Sequence, residues 1–296
     1  MVDSDGSRSA PTIRFEGGVK PLVAFFVGSA VYFTLVVLLV DSLIGDGSIP
    51  LWGQFVYYVV GFGPVALFAW VALRREGLAP SNVGLSWRNV GPGVLAVAGV
   101  WVLANVLGFV LATATGDSVS VGFPPGVALA TWLVLLVSQL AIVGIVEEFA
   151  FRGYFQNKLV SLFDGGANWK RKVAAIVVAT VLFVLLHVPQ RLVITGLSLA
   201  DLPPALVGLF VYALLFAVIY ELTRNVVFAG VLHGTFNVQT VLVFREGGVA
   251  VSEVGSIAVL LALVAVWLYR RWAKVTRPDD FSAQTGPSVV AADGGL

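Results

Sequence analysis

Two adjacent carboxylates, Glu147 and Glu148, stand inside a long apolar stretch, Ala141-Ile-Val-Gly-Ile-Val-Glu-Glu-Phe-Ala-Phe-Arg152. The chain has two histidines, and both also lie in apolar stretches: His187 in Phe183-Val-Leu-Leu-His187 and His233 in His233-Gly-Thr-Phe-Asn237. These residue types suit hydrolysis. A carboxylate can take a proton from water and return it, an imidazole can orient that water, and imidazole or amide N–H groups can face a developing oxyanion. Zinc chemistry is open as well, with Glu147, His187 and His233 as candidate ligands and a position left for water. No His-Glu-x-x-His stretch accompanies them, so a metal-free mechanism stands equally open. Buried Glu and His residues also form the proton relays of transporters.

Helical spacing orders these groups. Glu148 and Arg152 are four apart and share a face, where they pair; the first reading of that pair is a structural salt bridge that neutralises two costly charges. His233 and Asn237 have the same spacing and point to one spot. Glu147 is turned by about 100° from Glu148, so the two carboxylates need not share a role, and Glu147 is the one left without an obvious cation. Phe183, one turn before His187, reads as packing. Asp41, Asp46, Asp117 and Asp201 fall at span ends or in outer loops and call for no explanation.

The elements that must position these groups are membrane helices. Hydrophobic residues make up 58% of the 296 residues and charged ones 12%, about half the charge of a soluble domain. The apolar residues fall in runs of about 17–25, which suits a bilayer core about 30 Å thick. In lipid every backbone polar group needs an internal partner, so such runs are expected to be helices. Eight spans are expected: 21–40, 52–73, 91–115, 126–155, 173–188, 203–221, 226–244 and 254–270. Gly45-Asp46-Gly47, Phe123-Pro124-Pro125-Gly126 and Leu202-Pro203-Pro204 break the chain between spans. No internal repeat is visible. The first run is of full length with no small-residue cleavage site after it, so it reads as an uncleaved span. The tails, roughly 1–20 and 276–296, are rich in Ser, Gly, Asp and Ala and are expected to be disordered.

Loop charge tests this division. With both termini cytoplasmic, sixteen of the eighteen Lys and Arg residues fall on the inner side, and only Arg191 and Arg245 on the outer. The positive-inside rule requires such a bias, and a miscounted span would scramble it. The expected fold is therefore an all-α integral membrane bundle of about eight helices with both ends cytoplasmic, in the cell membrane. From the nearest inner cation, Glu147, His187 and His233 lie about 16, 22 and 13 Å deep at 1.5 Å per residue. One layer near mid-membrane can hold all three, and the shorter depths suggest access from the cytoplasmic side. A net charge of +1 without a long basic run excludes nucleic acid as the main partner. The absence of cysteine excludes disulfides, thiolate metal sites and cysteine nucleophiles.

Glu147-Glu148-x-x-x-Arg152, Phe183-x-x-x-His187 and His233-x-x-x-Asn237, in that order, resemble the three motifs of the CPBP family. These intramembrane proteases, also known by their Abi domain, are related to CAAX prenyl protease 2 and to lysostaphin resistance A-like proteins. Phe151-Arg152-Gly153 and Tyr220-Glu221-x-Thr223 fit the same pattern. The resemblance covers roughly residues 126–245, a protease core preceded by N-terminal helices over 21–125 and followed by a last helix over 246–275. Arg224-Asn225 departs from it, where a Gly-Ser-type pair is more usual. The resemblance implies an intramembrane endopeptidase acting on a membrane-associated protein, CAAX-like and prenylated in some members. It implies Glu147 as general base, His187 orienting the water, His233 and Asn237 stabilising the oxyanion, and Glu148 with Arg152 bracing the site. A proton-coupled transporter and a non-catalytic scaffold or immunity protein of the same fold are the competing readings.

Overall fold

The computed structural model describes residues 13–15, 18–44, 50–164, 168–238 and 240–276, the side chains of residues 41, 43 and 44 excepted. Most of both expected tails and the Gly45-Asp46-Gly47 turn lie outside the described residues.

Nine helices and one small hairpin make up the described chain. The helices are α1 Val19–Ile44, α2 Leu51–Arg75, α3 Trp87–Ala114, α4 Leu129–Leu162, α5 Trp169–Leu185, α6 Val188–Val193, α7 Leu202–Thr223, α8 Val226–Asn237 and α9 Glu253–Thr276. Short 3₁₀ turns at Pro80–Val83 and Glu246–Gly248 complete the regular structure. Strands β1 Val119–Val121 and β2 Val243–Arg245 pair antiparallel. Seven helical segments among the described residues are long and apolar enough to cross a bilayer. The chain is a multi-pass membrane protein with an all-α bundle.

Packing follows the rules of a lipid solvent. Large apolar side chains such as Leu35, Leu95, Val207 and Leu260 face outward, while Ala69, Ala104, Ala217, Ala258 and Ala262 are fully buried between helices. Lipid is as apolar as leucine, so close contact between small residues, and not exclusion from solvent, holds such helices together.

The hairpin fixes which helix ends lie together. β1 follows α3 and β2 precedes α9, so the end of α3 and the start of α9 share one end of the bundle. α2 runs away from this end to the start of α3, so α1 ends and α2 starts on this side as well, and the two helices pack together through Phe33 and Phe62 at 5.6 Å. This end is called far; the chain enters α1 and leaves α9 at the other, near end.

The seventh expected span, 226–244, is not one helix. α8 stops at Asn237 after 12 residues, about 18 Å of rise and too short to cross. Val238 is extended, φ −115° and ψ 140°, and residues 240–242 lie outside any helix ahead of β2. Apolar character alone does not separate a helix from buried extended chain, and Val238, Thr240, Val241 and Val243 are β-branched residues suited to the latter. Bare backbone at this depth needs partners. Asn105 on α3 supplies two, donating from Nδ2 to the Thr240 carbonyl at 3.2 Å and accepting from the Leu242 N–H at 2.6 Å. Trp101, one turn earlier, donates to Thr235 Oγ1 at 2.7 Å and ties α8 to α3.

At the near end, Arg224 takes the left-handed conformation, φ 50°, which glycine adopts most readily. That explains why a glycine is the more usual residue at this position, and here an arginine takes it. Glu221 and Asn157 hold the arginine at 2.7 and 2.8 Å, and Asn225 caps α8 by accepting from the Phe228 N–H at 2.9 Å.

Candidate active site

α4 carries the two carboxylates on an unusual backbone. Residues Ser138–Gly144 and Glu148–Gln156 form π-helical turns on either side of Ile145–Glu147. Such turns insert an extra residue and are frequent at functional sites. Here they coincide with the tightest helix crossing among the described residues. A Cβ on Gly144 would lie 2.1 Å from the Gly230 carbonyl oxygen, one on Gly230 would lie 2.7 Å from Ile145 Cα, and one on Gly234 would lie 2.3 Å from the Gln139 carbonyl oxygen. Backbone therefore touches backbone where α4 crosses α8, immediately before Glu147 and beside His233.

That contact places the His233 ring between the two glutamates. Nδ1 lies 3.0 Å from Glu148 Oε1, and Nε2 lies 3.8 Å from Glu147 Oε2. A carboxylate accepts, so Nδ1 carries the proton and Nε2 is the nitrogen free to act. Phe216 of α7 stacks on the ring at 4.7 Å and fixes its plane. His187 follows the same logic: its Nδ1 donates to the Phe183 carbonyl at 3.1 Å, leaving Nε2 as an acceptor.

The two glutamates have different surroundings. Glu148 is 1% exposed and lies 3.3 Å from Arg152 Nε. Arg152, also fully buried, donates from Nη2 to the Ala213 carbonyl at 3.0 Å and lies 4.7 Å over the Phe183 ring. Glu147 lines a cavity of about 820 Å³, and its Oε2 has no hydrogen-bond partner among the described residues. His187, His233, Asn237, Phe183 and Gln139 line the same cavity. Asn237 donates from Nδ2 to Gln139 Oε1 at 3.0 Å, which leaves it a second N–H. Replacing Arg152 by Leu strips Glu148 of its cation inside the bundle. Breaking a buried pair from one side costs about 3–5 kcal/mol, so a large fall in the melting temperature of the purified protein is expected.

The cavity occupies the far half of the bundle. Its wall includes Val36 and Val37 late in α1, Tyr57 and Tyr58 early in α2, and Ala205 and Gly208 early in α7. The space beside Glu147 therefore lies mainly in the half of the bundle away from the chain ends.

Among the described residues no group of three His, Cys, Asp or Glu side chains stands close enough together to form a metal site as placed, and Glu148 orients His233 through Nδ1, leaving Nε2 on the cavity side.

Sequence reasoning missed Gly144, Gln139, Asn105, Phe216 and the partnership of Glu148 with His233. Gly230-x-x-x-Gly234 was a visible signal for the close crossing; the others depend on contacts distant in sequence.

Comparison with known proteins agrees with the geometry. Residues 128–239 match the family model Rce1-like, described as type II CAAX prenyl endopeptidase Rce1-like. No curated protein matches the chain. The matched segment runs from α4 to the end of α8 and contains both glutamates, both histidines and Asn237. The match supports a CPBP/CAAX protease family assignment for this part of the chain.

Proposed function

We propose that the chain hydrolyses a peptide bond of a membrane-associated protein, with water activated by Glu147. The observation that carries this reading is that Glu147, His187 and His233 line one cavity, while Glu148 and Arg152 stand behind it as a fully buried pair.

Each step uses a group already described. Glu147 takes a proton from a water molecule that His187 Nε2 orients by accepting its other hydrogen. The hydroxide adds to the scissile carbonyl carbon, and charge develops on the carbonyl oxygen. Asn237 donates its second N–H to that oxyanion, and His233, in its doubly protonated form, donates from Nε2. The C–N bond then breaks as Glu147 returns its proton to the leaving amine. Glu148 holds His233 through Nδ1, and Arg152 holds Glu148. The family match brings prenylated CAAX-type proteins as one substrate class; the cavity's location favours a bond presented in the far half of the bundle.

Proteoliposomes holding the purified chain and a quenched fluorescent membrane peptide test this against transport. Cleavage in heavy-oxygen water should label the new carboxyl terminus, with no proton flux across the vesicle. Proton-driven uptake without cleavage would overturn the hydrolytic reading.

A further inference from the structure

Arg191 and Arg245 are the two cations at the far end among the described residues, and they are treated very differently. Arg245 is neutralised: its Nε lies 2.7 Å from Asp117, and its two terminal nitrogens lie 3.3 and 2.9 Å from the Glu253 carboxylate. Arg191 is half-buried in α6 and has no carboxylate in ion-pair distance among the described residues. Its Nε is buried with no hydrogen-bond partner, as is Oε1 of the adjacent Gln190. Both side chains line the cavity that holds Glu147.

An unpaired guanidinium against apolar walls is costly. Arg245 shows that this end of the fold can supply carboxylates to an arginine; at Arg191 it supplies none. The Arg191 N–H donates to the His187 carbonyl at 2.9 Å, so α6 starts on His187 and Arg191 follows one turn later. The guanidinium is planar and presents paired N–H groups that match a carboxylate.

We propose that Arg191 is a specificity-determining residue that pairs with a carboxylate of the substrate. One helical turn plus the reach of the side chain is about 6–12 Å. At about 3.3 Å per extended residue, this places the carboxylate about two to four residues from the scissile bond. A free C-terminus and an acidic side chain share this chemistry. The proposal rests on the hydrolytic reading of the cavity.

The test measures binding without turnover, so its failure and that of the hydrolytic reading are separable. Three fluorescent apolar hexapeptides are titrated by anisotropy against the full-length Glu147→Gln protein in detergent. One ends in a free carboxylate, one in a carboxamide, and one in a carboxamide with a Glu three residues from the end. At least one acidic form should bind about tenfold tighter than the neutral form, the size of one charge-assisted hydrogen bond, and the form that does so identifies the source. The preference should vanish on adding Arg191→Gln and return in part with Arg191→Lys. Equal or absent binding of all three to the unmutated Arg191 chain would overturn the proposal, and this needs no stable variant. A preference unchanged by Arg191→Gln would overturn it too. So would an equal loss for all three peptides, which would mark Arg191 as an anchor to lipid headgroups.

Discussion

Replacing Glu147 by Gln should lower the rate of proteolysis on the order of 10³-fold while leaving the folded protein intact. General acid–base groups contribute about 10²–10⁴-fold, and here one carboxylate is assigned both proton transfers. Gln preserves the shape of the side chain and removes its basicity. Stability should scarcely change, because Glu147 Oε2 makes no hydrogen bond among the described residues and faces the cavity. The neighbouring carboxylate behaves differently: Glu148 bridges Arg152 and His233, so its loss disturbs fold and activity together. Turnover of the membrane peptide and thermal unfolding of the same preparations separate the two effects. A Glu147→Gln protein that cleaves at the normal rate would remove Glu147 from the mechanism.

The second large effect is expected at a residue without a side chain. Gly144→Ala would set a methyl 2.1 Å from the Gly230 carbonyl oxygen and 2.9 Å from the Gly234 nitrogen. Both obstacles are backbone, so no rotamer relieves the clash and α4 must move away from α8. Overpacking of this kind costs about 1–3 kcal/mol, and more where backbone is pinned on both sides. The same displacement carries Glu147 and Glu148 away from His233, so activity should fall further than stability. Gly99→Ala in α3 is the control. A methyl there meets nothing within 4 Å, and the helix should gain about 0.5–1 kcal/mol. If Gly144→Ala is as stable and active as this control, the close crossing does not hold the site together.

How far the site could be read from the chain depended on the range of each interaction. The pairing of Glu148 with Arg152 acts within one turn of helix and is visible as a four-residue spacing, even though the turn proves to be π-helical. The bracketing of His233 by both glutamates joins residues about 85 positions apart, and no periodicity carries that information. Membrane character was legible because hydropathy is a local property summed over about 20 residues. The break of α8 at Asn237 was not, because the segment after it is equally apolar; what ends the helix usefully is Asn105 on another helix. Arg152 illustrates the middle case. Its carboxylate partner is local, but the Ala213 carbonyl and the Phe183 ring that complete its surroundings come from α7 and α5.

Hydrolysis by a glutamate-activated water, in a cavity in the far half of the bundle, is tested most directly on the protein's own substrates. Membrane proteomes of cells expressing either the wild-type chain or Glu147→Gln at equal levels should differ in at least one membrane protein. It should accumulate uncleaved in the variant and appear shortened in the wild type, with a new terminus where the cut falls. Identical proteomes, with the wild-type chain folded and abundant, would contradict it.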